Sequence, residues 1–379
     1  MSSQKSFIDY YNENQLIPVK QDLKSKSEHF SKRDFLYSSV GLNHLALKNA
    51  SILEFGPGTG QNAINWLNYN PSSITLVDGA DAAIKEITKN FSGIDVPSNI
   101  NLSVIKSEFT TFKSDHKFDV IWAEGCIPHQ SDISKIISSM LHHLSEDGIF
   151  TCSTISGLAH LSETIRRVAA SLILKKLHPD IDDLEFLVKI YTNDLKELSN
   201  STRFVEDWVL DVIIQPLHKT SLCSILDVIN ISKNTHLPYH TFPKLSDSIC
   251  WYKDFDPVNY AEGVVEQYHK NCMHFIANKA PSKSNLLDDG IEAEHLGNLS
   301  WEYAGKYQHG DMELKSFIEV LKELDKLYQS YDYSAYMPNL CDIAKWMEDG
   351  CQLTSYKSIS TGFWGKCTQF ISLKKPLKF

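Results

Sequence analysis

"ILEFGPGTG", Ile52–Gly60, carries an apolar run through one carboxylate, Glu54, into a loop with glycine at alternate positions. The apolar part reads as a buried strand of a parallel sheet, and the glycines read as a turn where a ligand approaches the backbone. Gly56, Gly58 and Gly60, with a helix beginning near Gln61, let amide N–H groups point at a negative group. Two phosphate-binding loops do not fit. A GxGxxG fingerprint begun at Gly56 and Gly58 puts its third position on Gln61, and "GTGQNA" lacks the lysine of a P-loop. A carboxylate at the strand end also repels a pyrophosphate and attracts an ammonium group.

Outward from this stretch, Ser51 to about Ile155 alternates short apolar runs with helix-like segments, the pattern of a parallel sheet flanked by helices. Strands are expected at "SILEF", "SITLVD", "NLSVIKS", "FDVIWAE" and "GIFTCSTIS". Helices are expected at Gln61–Asn68, Ala82–Asn90 and Ile133–Leu144, the last closed by a turn at "SEDG". The preceding segment mixes aromatic and charged residues at helical spacing and reads as an arm over the sheet domain.

After Gly157 the chain reads as helical. Leu184, Leu187, Val188, Tyr191, Leu195 and Leu198 form one apolar stripe. Leu314, Phe317, Ile318, Leu321, Leu324 and Tyr328 form another, with Asp311 as its expected N-cap. "APSKSNLLDDGIEAEHLGN" is polar and turn-rich and reads as a mobile loop. The last segment reads as a helix at "DIAKWMEDGC" and a hairpin of "CQLTSYKS" with "KCTQFISLKK".

These elements together resemble the class I S-adenosylmethionine-dependent methyltransferases, whose first motif has the form Glu-x-Gly-x-Gly-x-Gly. The resemblance implies a Rossmann-like α/β fold: a doubly wound, mostly parallel sheet with an antiparallel C-terminal hairpin, plus a large, mainly helical insertion. It divides the chain into an N-terminal helical arm (1–48), a cofactor-binding core (49–157), an insertion that caps the substrate (158–339) and a last helix and hairpin completing the sheet (340–379).

The resemblance also implies S-adenosylmethionine as methyl donor, with S-adenosylhomocysteine as product. Glu54, Phe55, Gly56, Pro57, Gly58 and Gly60 would then line its methionine and ribose, and Asp78 with Gly79 would take the ribose hydroxyls and leave room for adenine. Ser107, Glu108 and Phe109 would flank adenine, and Ala123, Glu124 and Gly125 would run along the cofactor. His129 follows where acceptor contacts begin and is the candidate base.

Lys+Arg 37 against Asp+Glu 47 leaves −10, which argues against nucleic acid as a partner and for a small-molecule acceptor, such as a sugar or secondary metabolite, methylated on oxygen or nitrogen. The base-methylating signature Asp/Asn-Pro-Pro-Tyr/Phe is replaced by "AEGCIPH". A protein side chain as acceptor and a non-catalytic binding subunit are the alternatives. The 8 cysteines include no CxxC pair, and no stretch has the length of a signal peptide core or membrane span, so a cytoplasmic protein with reduced thiols is expected. "HKNCMH" (His269, Cys272, His274) and "HLPYH" (His236, His240) have no carboxylate cluster beside them, and no metal site is assigned to them. "WYKD" and "SWEYAGKYQHGD" are candidate aromatic contacts to a substrate or to the core.

Overall fold

A computed structural model describes residues 7–14, 25–176, 181–198, 203–215, 222–246, 251, 253, 256–280, 286–353 and 362–376. The strands are β1 (Ser51–Phe55), β2 (Ser73–Asp78), β3 (Asn101–Lys106), β4 (Phe118–Ala123), β5 (Leu144–Thr154), β6 (Leu237–Phe242) and β7 (Gln369–Lys374). They form one sheet in the order β3-β2-β1-β4-β5-β7-β6. β1 to β5 are parallel, and β7 runs antiparallel between β5 and β6. The order reverses between β1 and β4, the place where sheets of this kind bind ligands at the carboxyl ends of their strands.

The helices are α1 (Phe7–Glu13), α2 (Lys26–Ser39), α3 (His44–Leu47), α4 (Asp81–Ser92), α5 (Ile133–His142), α6 (Leu161–Leu174), α7 (Asp183–Glu197), α8 (Val205–Trp208), α9 (Ile225–Ser232), α10 (Pro257–Cys272), α11 (Leu287–His309), α12 (Leu314–Gln329) and α13 (Leu340–Glu348). None is long and apolar enough to cross a membrane among the described residues.

The chain divides into two compact units: Met1–Thr154, Cys223–Val265 and Gln369–Phe379, and Ile155–Leu222 with Glu266–Thr368. The first holds the sheet, and Ile52, Trp66, Ile74, Leu76, Val120, Trp122 and Phe370 belong to a core in which α2 buries Tyr37. In the second, α6 is buried on every side over Leu161–Ala170, as befits a helix enclosed by others. Gly157 and Gly297 let two backbones meet there: a Cβ on Gly297 would lie 2.4 Å from the Leu158 nitrogen.

Five expectations are corrected. Residues 145–148, expected as a turn, lie inside β5; Leu144 pairs with Phe118 and Ile149 with Val120, so the polar "SEDG" is taken up as an irregularity within the strand. Residues 287–298 are not a loop but the start of α11, whose Gly290, Ala293, Glu294, Leu296 and Gly297 are buried; residues 281–285 lie outside the description. Asp311 does not cap α12: Glu313 holds the N-cap position, and the Asp311 N–H closes α11 by donating to Lys306 O at 2.9 Å. The helix after the glycine loop is a 3-10 helix, Ala63–Tyr69. The expected strand at 351–358 is outside the described residues from 354 onward, and Cys351–Leu353 are not extended; the strand beside β7 is β6. That pairing goes with a division in which residues 223–265 belong to the unit that holds the sheet and residues 340–368 to the helical unit.

Candidate functional site

β1 and β2 lie side by side with Phe55 opposite Val77, which brings Glu54 and the glycine loop next to Asp78. Gly56, Gly58 and Gly60 have φ of 67°, 58° and 74°, a region that side chains other than glycine enter at a cost. Gly56 has a second constraint, since a Cβ there would lie 2.5 Å from Cys126 Cβ. Cys126 in turn donates its thiol hydrogen to Phe55 O at 3.3 Å, and burial pushes that thiol well above its ordinary pKa. The loop that follows β4 therefore presses against the loop that follows β1.

Asp78 ties two turns together. Its Oδ2 accepts from the Gly58 N–H at 3.3 Å and its Oδ1 from the Ala80 N–H at 2.9 Å. Burial raises its pKa to about 6, opposed by those backbone N–H groups. Each carboxylate oxygen has two lone pairs, so Asp78 retains acceptor capacity toward a diol. Gly79 beside it is closely covered by α1: a Cβ there would meet Ile8 Cδ1 at 2.5 Å, and Asn12 Oδ1 accepts from the Asp81 N–H at 3.1 Å.

Glu54 is 3% exposed, and its Oε2 accepts from Trp66 Nε1 at 2.6 Å. Burial raises its pKa to about 7, against the lowering effect of the Trp66 hydrogen bond and of Arg33. A carboxylate in that state is short of positive charge. Around it stands an aromatic wall in which Tyr37 stacks on Trp66 with centroids 4.2 Å apart and meets Trp122 edge-on at 5.0 Å.

Arg33 of α2, which the sequence reading did not single out, enters this wall. Its Nη1 lies 2.6 Å from Glu124 Oε2, its Nη2 donates to Tyr37 O–H at 3.1 Å, and its guanidinium lies 5.0 Å from the Tyr37 ring centroid. Burial disfavours its charge, yet Glu124 and Tyr37 outweigh that and hold it protonated. His29, one turn earlier, hydrogen-bonds Asn62 at 2.9 Å beside the glycine loop, and its pKa is lowered by burial. The signal for Arg33 in the sequence is thin: an arginine four residues before a tyrosine on an otherwise charged helix.

Ala123 ends β4, Glu124 is held by Arg33, and the Gly125 N–H donates to Ser153 Oγ at 2.7 Å. Ser107 follows β3 with its N–H donating to Asp78 O at 3.0 Å; Glu108 is exposed, and the Phe109 ring meets Phe55 edge-on at 5.6 Å. Pro57 accepts at its carbonyl from the Gly60 N–H at 2.9 Å. His129 is half-buried in the loop after β4 with φ of 70°. The histidines and cysteines singled out as metal candidates do not gather among the described residues: Cys272 donates its thiol hydrogen to Gly290 O, His274 hydrogen-bonds Tyr333, and His236 hydrogen-bonds Thr235. Trp251 is exposed, while Tyr252 and Asp254 lie outside the described residues; Ser300–His309 continue α11.

Comparison with known proteins adds the following. Residues 33–189 match the family model described as "Methyltransferase domain". The tRNA U34 carboxymethyltransferase of Nautilia profundicola is 26% identical over 190 residues, 47% of this chain and 60% of that protein. The malonyl-[acyl-carrier protein] O-methyltransferase of Bacillus anthracis is 28% identical over 120 residues, 31% of this chain and 42% of that protein. The chain thus spans less than two thirds of either relative's length. Among solved structures, the N-methyltransferase NodS of Bradyrhizobium japonicum, in complex with S-adenosylhomocysteine, is 12% identical with a TM-score of 0.36, covering 61% of this chain and 88% of that one.

Proposed function

We propose that the protein, whose residues 33–189 match a methyltransferase-domain family model, transfers the methyl group of S-adenosylmethionine to an oxygen or nitrogen of a small-molecule acceptor. The observation that carries the reading is the pairing of buried Glu54 with Asp78 across a loop of three left-handed glycines at adjacent strand ends. The fit is chemical: Glu54 is short of a positive partner that an ammonium would supply, and Asp78 has lone pairs for ribose hydroxyls.

In this reading the cofactor supplies an electrophilic methyl on a sulfonium. Glu54 holds the methionine ammonium with Trp66 fixing the carboxylate's orientation. Asp78 takes the ribose while also holding Gly58 and Ala80 in place, and Arg33, steadied by Glu124, offers a guanidinium to the methionine carboxylate. Ser107, Glu108 and Phe109 bound the adenine side and α1 closes over Gly79. Bound there, the cofactor would supply a methyl for in-line transfer to an acceptor lone pair, and the chain's own residues would contribute mainly positioning. His129 takes the acceptor proton where the acceptor has one to lose.

A small-molecule acceptor is supported by the net charge of −10, which gathers no polyanion. The two relatives act, by their names, on tRNA and on a malonyl-[acyl-carrier protein], and so favour no single acceptor class. The test is to incubate the protein with methyl-labelled S-adenosylmethionine and cell extract separated into low-mass, protein and RNA fractions. Label in the low-mass fraction is expected. Label confined to protein or RNA would overturn the acceptor class, and label in none, with cofactor bound, would favour a non-catalytic binding subunit.

A further inference from the structure

We infer that the first turn of α6 and the segment at 365–367 form a zinc-binding site in the helical unit, made by His160, Glu163 and Cys367. One donor atom from each of the three lies within 4.8 Å of the other two. His160 is the N-cap residue of α6 and Glu163 follows one turn in; they are 5% and 8% exposed. Cys367 arrives from far along the chain, 204 residues from Glu163, and its Sγ lies 3.1 Å from Glu163 Oε1 and 3.0 Å from Ala159 O. The backbone is built for that approach. The Gly365 N–H donates to Ser162 Oγ at 3.3 Å, and a Cβ on Gly365 would lie 1.9 Å from Ala159 O, so only glycine allows the two segments this close.

An imidazole nitrogen, a carboxylate oxygen and a thiolate sulfur form a mixed donor set suited to Zn2+, and three protein ligands leave a fourth coordination position open. Zinc bonds of about 2.0–2.3 Å hold tetrahedral donors roughly 3.5 Å apart, so with separations up to 4.8 Å no pair needs to draw in by more than about 1.3 Å, while Cys367 Sγ and Glu163 Oε1, at 3.1 Å, need to part slightly. Ser162 Oγ donates to Glu163 Oε2, which orients the carboxylate and leaves Oε1 toward the sulfur. Charge balance is favourable: Glu163 and the Cys367 thiolate offset the dication, with one thiol proton released to solvent. The neighbouring cation, Arg166, is already paired with Asp194 at 2.9 Å and lies 4.1 Å from the Trp364 ring centroid. Bound metal would clip two distant segments of the unit together, closing a long loop.

The experiment uses the full chain purified with zinc present and dialysed against metal-free buffer. About one zinc per chain by elemental analysis is expected. Replacing zinc by Co2+ should give visible d–d bands and a near-ultraviolet thiolate-to-cobalt band. That band should vanish in Cys367→Ser and persist in Cys126→Ser, and His160→Ala and Glu163→Gln should each lower metal content at least tenfold. A wild-type chain that is folded by circular dichroism yet holds no zinc and gives no thiolate–cobalt band overturns the site without any variant having to fold. A band that survives Cys367→Ser also overturns it.

Discussion

Glu54 is the residue on which the site's electrostatics turn. Its pKa stands at about 7 because burial disfavours the carboxylate, well above the ordinary 4.5. For the ligand-free chain the linkage has a definite sign: a raised carboxylate pKa contributes stability that is present at low pH and is lost as pH rises through about 7, where an uncompensated buried charge forms. An ammonium ligand reverses this locally, since it requires the ionised form. Cofactor affinity should therefore strengthen by about tenfold per pH unit as pH rises toward 7 and level off above it. In Glu54→Gln the slope between about pH 6 and 7 should disappear, leaving only the contribution of Asp78, whose pKa is about 6, at lower pH. Calorimetric titration from pH 5 to 8 measures both. Arg33 makes a second prediction at this scale. Removing one partner from a largely buried pair leaves the other charge unpaired, so Arg33→Met should destabilise the chain by roughly 3 kcal/mol in urea unfolding. With Glu124→Gln added, the double variant should lose less than the sum of the two single changes.

At the scale of elements, two contacts decide how the loops meet. Gly56→Ala adds a methyl 2.5 Å from Cys126 Cβ on a backbone with φ of 67°. The loops after β1 and β4 must then part, and the variant should lose stability by about 1–3 kcal/mol and cofactor affinity with it, read by thermal unfolding and titration. Asn12→Ala removes the α1 acceptor from the Asp81 N–H, so cofactor affinity should fall by a few-fold, about 1 kcal/mol, with the melting temperature nearly unchanged. The first four strands were legible because each is a short apolar run beside a turn, and α7 and α12 because their stripes recur at helical spacing. β6 was not, because "LPYHTF" contains a proline and two polar residues and earns its place only by pairing with a strand about 130 residues later. α11 was hidden for a related reason. Its Gly290 and Gly297, which read locally as loop signals, are used for close backbone approaches that only the tertiary fold reveals.

At the scale of the whole molecule, the chain divides into a sheet unit and a helical unit, and the residues proposed to hold the cofactor lie in the first. Glu54, the glycines, Asp78 and Glu108, proposed to hold the cofactor, stand at or just after consecutive strand ends, and the resemblance to the methyltransferase family, carried by the glycine motif, is what pointed to them. Arg33, by contrast, comes from a helix before the sheet and is joined to Glu124 across 91 residues. No local pattern announces such a pair. The acceptor class is proposed from the net charge of −10, since no sequence motif points to an acceptor. A chain at −10 should show no salt-dependent retention on immobilised RNA between about 50 and 200 mM salt, whereas binding with a steep salt slope would contradict the proposed acceptor class.

The central claim, that the glycine loop with Glu54 and Asp78 holds S-adenosylmethionine, is tested most directly by calorimetric titration of the intact chain at pH 8 with the cofactor and with S-adenosylhomocysteine. Saturable binding of about one ligand per chain is predicted, weakened at least tenfold in an Asp78→Ala variant that remains folded. No heat of binding to the folded wild-type chain at millimolar ligand, or undiminished affinity in Asp78→Ala, would contradict it.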